Sequence, residues 1–218
     1  MLLLISLVAG GFGELYVPTT VTVPNDAAAT ARNIDSSNLL FRMGFAAYLV
    51  EGLCNIALTL IFYVLLRPVR KDMALLAAFF GLVAVAVFAV AELFYLAPLL
   101  IFESRNSLNA FSNDQLDAIA LLSLKFYGYA SGALMAFGGV GSIIFGCLIF
   151  LSGYLPRILG ALLALGGLGF VIRNFALVLA PAPAYDWLFL PMSLGMLGLG
   201  IWLLIFGGEV DSMEGRAR

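Results

Sequence analysis

Residues 73–91 read Met-Ala-Leu-Leu-Ala-Ala-Phe-Phe-Gly-Leu-Val-Ala-Val-Ala-Val-Phe-Ala-Val-Ala, with no charged or strongly polar side chain among them. As a helix this stretch is about 28 Å long, close to the roughly 30 Å hydrocarbon core of a bilayer. The surrounding chain has the same character: 63% of its 218 residues are hydrophobic and 11% are charged. Soluble domains run near 45–50% and about 25%. A soluble core of this size could not hide so much apolar surface, whereas lipid solvates it. The expectation is an all-α integral membrane bundle of about six transmembrane helices, forming one domain over residues 1–218.

On the N-terminal side, Leu39–Leu66 is long enough to span with tilt and ends at the Pro68 turn. Before it, Val17–Asn38 is polar, with Pro18 and Pro24, and Asn25-Asp26 is placed to cap a short helix over Ala27–Ile34. The opening apolar run, Met1–Phe12, reads as a short first helix lacking its opening turns. No Lys or Arg precedes it and no small-x-small cleavage site follows, which argues against a signal peptide.

On the C-terminal side, Pro98 marks the outer end of the third span or a kink in it. Ser112 followed by Gln115 reads as a capping box, opening a helix that reaches Leu151. Pro156 begins the fifth span, Pro181 and Pro183 form the next loop, and a polar tail follows the sixth. The expected spans are 1–17, 39–66, 73–97, 126–151, 157–179 and 187–206. Arg67, Arg70, Lys71, Arg157, Arg216 and Arg218 outnumber Arg32, Arg42 and Arg105 on the other side, so both termini are expected in the cytoplasm.

On the fourth span Gly128, Gly132, Ala136, Gly139, Ser142 and Gly146 recur every three or four residues, making a smooth face that lets helix backbones approach closely in lipid. Ile143 and Ile149 fall off that face. A nucleotide-binding reading of these glycines fails, because no strand precedes them.

Several runs resemble a bacterial membrane family known as domain of unknown function 4386. They are Pro24-Asn-Asp-Ala-Ala-Ala-Thr-Ala, Leu40-Phe-Arg-Met-Gly-Phe, Tyr63-Val-Leu-Leu-Arg-Pro-Val, Tyr127-Gly-Tyr, Ser152-Gly-Tyr-Leu-Pro-Arg-Ile-Leu-Gly and Ile201-Trp-Leu-Leu. The resemblance covers nearly the whole chain in order, and the Gly-Tyr-Leu-Pro-Arg-Ile-Leu-Gly run is its most specific part. It implies a single six-helix unit in the bacterial inner (cytoplasmic) membrane and brings no established activity. The family pattern carries a histidine on the fourth span and an acid on the sixth. Here the Gly141–Ser142 region and Met196 stand in those places.

Function classes narrow by composition. There is no histidine and there are only two cysteines, Cys54 and Cys147, both in apolar runs and expected as buried packing thiols. With no nucleophile–base pair and no metal-ligand cluster in view, catalysis is not expected, and neither is a cofactor. A net charge of −2 without a basic tract excludes nucleic-acid binding. The partners expected are membrane lipid, a small lipophilic ligand and a further membrane protein.

Charges inside a span cost about 2.5–3.5 kcal/mol each on insertion scales, so each needs a reason. Glu51 and Asn55 lie on the second span, Glu92 on the third, and Arg173 with Asn174 on the fifth. Tyr48, Glu51, Asn55 and Thr59 share one helical face. By depth these groups gather in the outer half of the bundle, Glu51 about 18 Å from the outer end of its helix and Arg173 about 9 Å from its own. Two readings follow. In one, Arg173 neutralises Glu51 or Glu92 and locks helices together. In the other, Tyr48, Glu51, Asn55, Glu92, Arg173 and Asn174 line a binding site, in a ligand-binding or accessory membrane protein. A small proton-coupled carrier or an intramembrane enzyme using Glu51 and Glu92 is the alternative. Glu14, Lys125 and Asp186 read as interfacial anchors, with Trp187 and Trp202 at opposite ends of the last span.

Overall fold

The computed structural model describes residues 1–179 and 190–214, with side chains described up to 203 and at 205. Every regular element among them is a helix: α1 (Leu2–Val21), α2 (Ala27–Ser36), α3 (Asn38–Leu66), α4 (Lys71–Glu103), α5 (Asn113–Ser152), α6 (Arg157–Leu179) and α7 (Leu190–Glu214). Five of these, α1, α3, α4, α5 and α6, are long and apolar enough to cross a membrane. Their outward faces carry large apolar side chains such as Leu53, Leu60, Val90 and Leu93, as lipid-facing helices do. The described apolar part of α7, Leu190–Leu203, is shorter than a crossing. The expected Pro181–Pro183 loop, Asp186, Trp187, Arg216 and Arg218 lie outside the described residues.

Both caps read from the sequence are present. Asp26 accepts from the Ala29 amide at 2.8 Å, and Thr30 donates to the carbonyls of Val23 and Asp26. Ser112 and Gln115 exchange bonds reciprocally, at 2.8 and 3.3 Å. Two helix ends differ from expectation. Pro98 neither ends nor interrupts α4, which continues to Glu103. Without water, an α-helix is the cheapest way to satisfy the flanking peptides, and a single lost bond does not outweigh that. Similarly, α1 does not stop near residue 17. It runs to Val21, with Pro18 tolerated at the start of a new helical register.

That register change is a π segment, Gly11–Tyr16, in which the Val17 amide reaches five residues back to Phe12. One π-turn back from Pro18 is Gly13, and proline has no N–H to give it. The freed carbonyl becomes an acceptor for another helix.

The chain divides into two compact units. One comprises Met1–Leu4, Cys54–Val85 and the described residues from Ala133 onward. Within it α5 and α6 meet backbone to backbone. A Cβ added to Gly139 would stand 2.7 Å from the Gly167 carbonyl oxygen, and one on Gly146 would stand 2.6 Å from that of Gly160. On α6, a Cβ on Gly166 would fall 2.4 Å from the Met192 Cα of α7. The Tyr154 hydroxyl ties the α5–α6 turn to the Leu65 carbonyl. The small-residue face is therefore real over Gly139–Gly146 but does not extend to Gly128, where an added Cβ meets nothing within 4 Å. Ile149, expected off the face, is fully buried, with its side chain against Gly160. Of the two cysteines only Cys54 is buried; Cys147 is exposed, because it points off the packed face of α5.

The second unit comprises Ile5–Leu53 and Ala86–Gly132, and holds most of α1, all of α2 and parts of α3, α4 and α5. At one end Arg42 pairs with Glu103, while Arg105 binds Asp117 at 2.6 Å and stacks over Phe102. Deeper in, this unit buries acids and tyrosines instead.

Candidate functional site: a carboxyl and tyrosine cluster

The cluster is made possible by glycines on α1 and α3. Gly10 leaves the space occupied by the Glu51 carboxyl, whose Oε2 would lie 2.9 Å from an added Cβ. Gly13 does the same for the Tyr48 ring, and Gly44 for the Tyr95 hydroxyl, at 3.2 and 2.5 Å. Any larger residue would push these polar side chains out of the helix interface.

Three tyrosines from three helices then form a triangle. Ring centroids are 5.1 Å apart for Tyr48–Tyr95, 5.4 Å for Tyr95–Tyr127 and 5.8 Å for Tyr48–Tyr127. Phe41 stacks on Tyr95 and Phe88 meets Tyr48 edge-on, completing an aromatic wall. Tyr48 is 1% exposed and donates its hydroxyl to the Gly13 carbonyl at 2.7 Å. This is the carbonyl released by Pro18.

Glu92 lies beside this wall, 2% exposed, and neither carboxyl oxygen has a hydrogen-bond partner among the described residues. It is within electrostatic reach of Glu14 and Glu51, and of Tyr48, Tyr95 and Tyr127. The Ser131 hydroxyl, one turn beyond Tyr127 on α5, is hydrogen-bonded to the Tyr127 hydroxyl. Buried carboxyls are hydrogen-bonded in nearly all native interiors, so Glu92 marks a place where something else is meant to bind. The cationic side chains of this unit are committed or exposed. Arg42 and Arg105 hold Glu103 and Asp117, and Arg32 and Lys125 are exposed.

Of the residues singled out from sequence, Tyr48, Glu51 and Glu92 thus come together in this unit. Asn55, Arg173 and Asn174 belong to the other unit. There the Asn55 carbonyl accepts the Thr59 hydroxyl at 2.8 Å, and buried Asn174 donates to the Phe170 carbonyl while its Oδ1 meets no partner among the described residues. Glu14, read as an anchor, is exposed, is carried in the π segment and interacts electrostatically with Glu92. Tyr95 and Ser131 had no sequence signal of their own, and Tyr127 stood out only within the family-like Tyr127-Gly-Tyr run. Tyr95 sits one turn from Glu92 and Tyr127 one turn from Ser131, a spacing that becomes informative only once Glu92 is known to face inward.

Fold and site together define a multi-pass α-helical membrane protein with an acidic, tyrosine-walled cluster inside one of its units. The chain belongs to the family described as domain of unknown function (DUF4386), whose model matches residues 1–207. No curated protein and no solved structure matches it.

Proposed function

We propose that this is a ligand-binding membrane protein and that the carboxyl–tyrosine cluster is its site. The observation that carries the reading is Glu92, buried to 2% exposure with both oxygens unengaged among the described residues. A carboxyl retained for stability alone would be expected to hold a partner, since an unpaired one in apolar surroundings destabilises the fold. The ligand supplies what the site lacks, a hydrogen-bond donor or a positive charge. On this reading the protein works in the bacterial inner membrane, with lipid as the surrounding medium and a further membrane protein as the recipient or source of the ligand.

Native mass spectrometry of protein extracted from membranes tests this. Wild type should carry a small molecule that Glu92→Gln lacks. The same species on both proteins would remove the cluster from consideration. A second reading, a proton-coupled carrier or an intramembrane acid–base enzyme working through Glu51 and Glu92, draws on one observation: the carboxyls of Glu14, Glu51 and Glu92 interact electrostatically.

A further inference from the structure

We propose that the ligand is a lipophilic primary amine, an ammonium head on an apolar tail, which enters from the bilayer beside Glu14 and seats its head on Glu92 beside Tyr48, Tyr95 and Tyr127. This deepens the reading above and rests on it.

The head group follows from what is unsatisfied. Glu92 offers two acceptor oxygens, both without partners among the described residues. An ammonium group brings three N–H donors and one positive charge. The faces of Tyr48, Tyr95 and Tyr127 add cation–π attraction, which strengthens when water is excluded. A carboxylate or phosphate head is disfavoured by three acids in one neighbourhood. A metal ion does not fit either, since no group of three His, Cys, Asp or Glu among the described residues is placed to hold one. A neutral alcohol would satisfy one or two bonds and gain nothing electrostatic from the three acids.

The route follows from exposure. Glu14 is exposed on α1, Glu51 is half-buried and Glu92 is buried. The three acids therefore step from the outer surface of a membrane-crossing helix to the interior of its unit. Around Glu14 the surface is apolar, with Leu15 68% and Tyr16 56% exposed, and nothing stands within 4 Å of where a Gly11 Cβ would be. An amphiphile whose tail stays in lipid meets its first counter-charge there. Glu51, held over Gly10, provides the next.

The test uses the full-length protein in lipid nanodiscs and three nine-carbon probes: nonylamine, nonanol and nonanoate. Nonylamine should raise the melting temperature in a saturable way, and the other two should not. Glu92→Gln should weaken nonylamine about tenfold or more, the loss of one charge-assisted contact. Glu14→Gln should weaken it less, and Lys125→Gln, at an exposed position, should leave it unchanged. If nonanol binds as well as nonylamine and Glu92→Gln abolishes both, the cation is wrong and the site stands. If nonylamine fails while wild type still carries a Glu92-dependent species by mass spectrometry, the amine alone is overturned. Equal nonylamine binding by wild type and Glu92→Gln overturns the proposal outright.

Discussion

Tyr48 on α3 donates its hydroxyl to the Gly13 carbonyl in the π segment of α1, at 2.7 Å, and Pro18 is the reason that carbonyl is free. The bond is buried and joins two helices. Tyr48→Phe should therefore cost about 1 kcal/mol or somewhat more, because it strands an acceptor away from water. Pro18→Ala restores an N–H that competes for the same carbonyl. The double variant should lose less than the sum of the two single changes, as read from a thermal or denaturant double-mutant cycle. Strict additivity would show that the proline and the tyrosine are unconnected.

Glu92→Gln should raise the stability of the unliganded protein by about 1 kcal/mol, even as it removes binding. It replaces a carboxyl that has no partner among the described residues with an uncharged isostere. A protein in which Glu92 served as half of a structural ion pair would instead lose several kcal/mol on this change. Melting curves of the two proteins in the same detergent decide between these outcomes.

Gly139→Leu and Gly146→Leu should each destabilise by at least about 3 kcal/mol, the upper end of overpacking effects, because both face backbone at 2.7 Å or less. Gly128→Leu is the matched control, with open space at its Cβ, and should be close to neutral. Comparable melting of all three would mean that α5 and α6 are not in contact.

The distribution of Lys and Arg predicts that residues 67–72 face the cytoplasm. Cysteines introduced at Ser36 and Ser107 should then react with an impermeant maleimide in intact cells, and a cysteine at Lys71 should react only after permeabilisation. The reverse pattern would invert the orientation.

Much of the architecture was legible because it depends on local pattern. Unbroken apolar runs gave the long helices, Asp26 and Ser112 announced their helix starts, and the Gly139–Gly146 spacing announced close packing. The site was legible only in part. Glu51 and Glu92 stood out as charges in apolar runs, since lipid makes such residues conspicuous. Tyr95 did not, and Tyr127 did so only as part of a family-like run, because an aromatic ring in a hydrophobic helix is what composition alone would supply. The π segment left no local trace either: Gly10, Gly11 and Gly13 looked like the end of a short apolar run, and Pro18 looked like the beginning of a loop. Their meaning depends on residues of α3, some thirty or more positions away.

The reciprocal glycine contacts of α5 and α6 also bear on how the protein is made. Two neighbouring helices joined by the short Gly153–Pro156 turn, and fitting without side chains between them, form a hairpin that could close as soon as both have left the insertion machinery. Such a hairpin would require no partner from earlier in the chain. Delays or errors in biogenesis should then fall on α1, whose glycines and Glu14 gain their environment only when Tyr48, Glu51 and Glu92 have been synthesised and brought alongside.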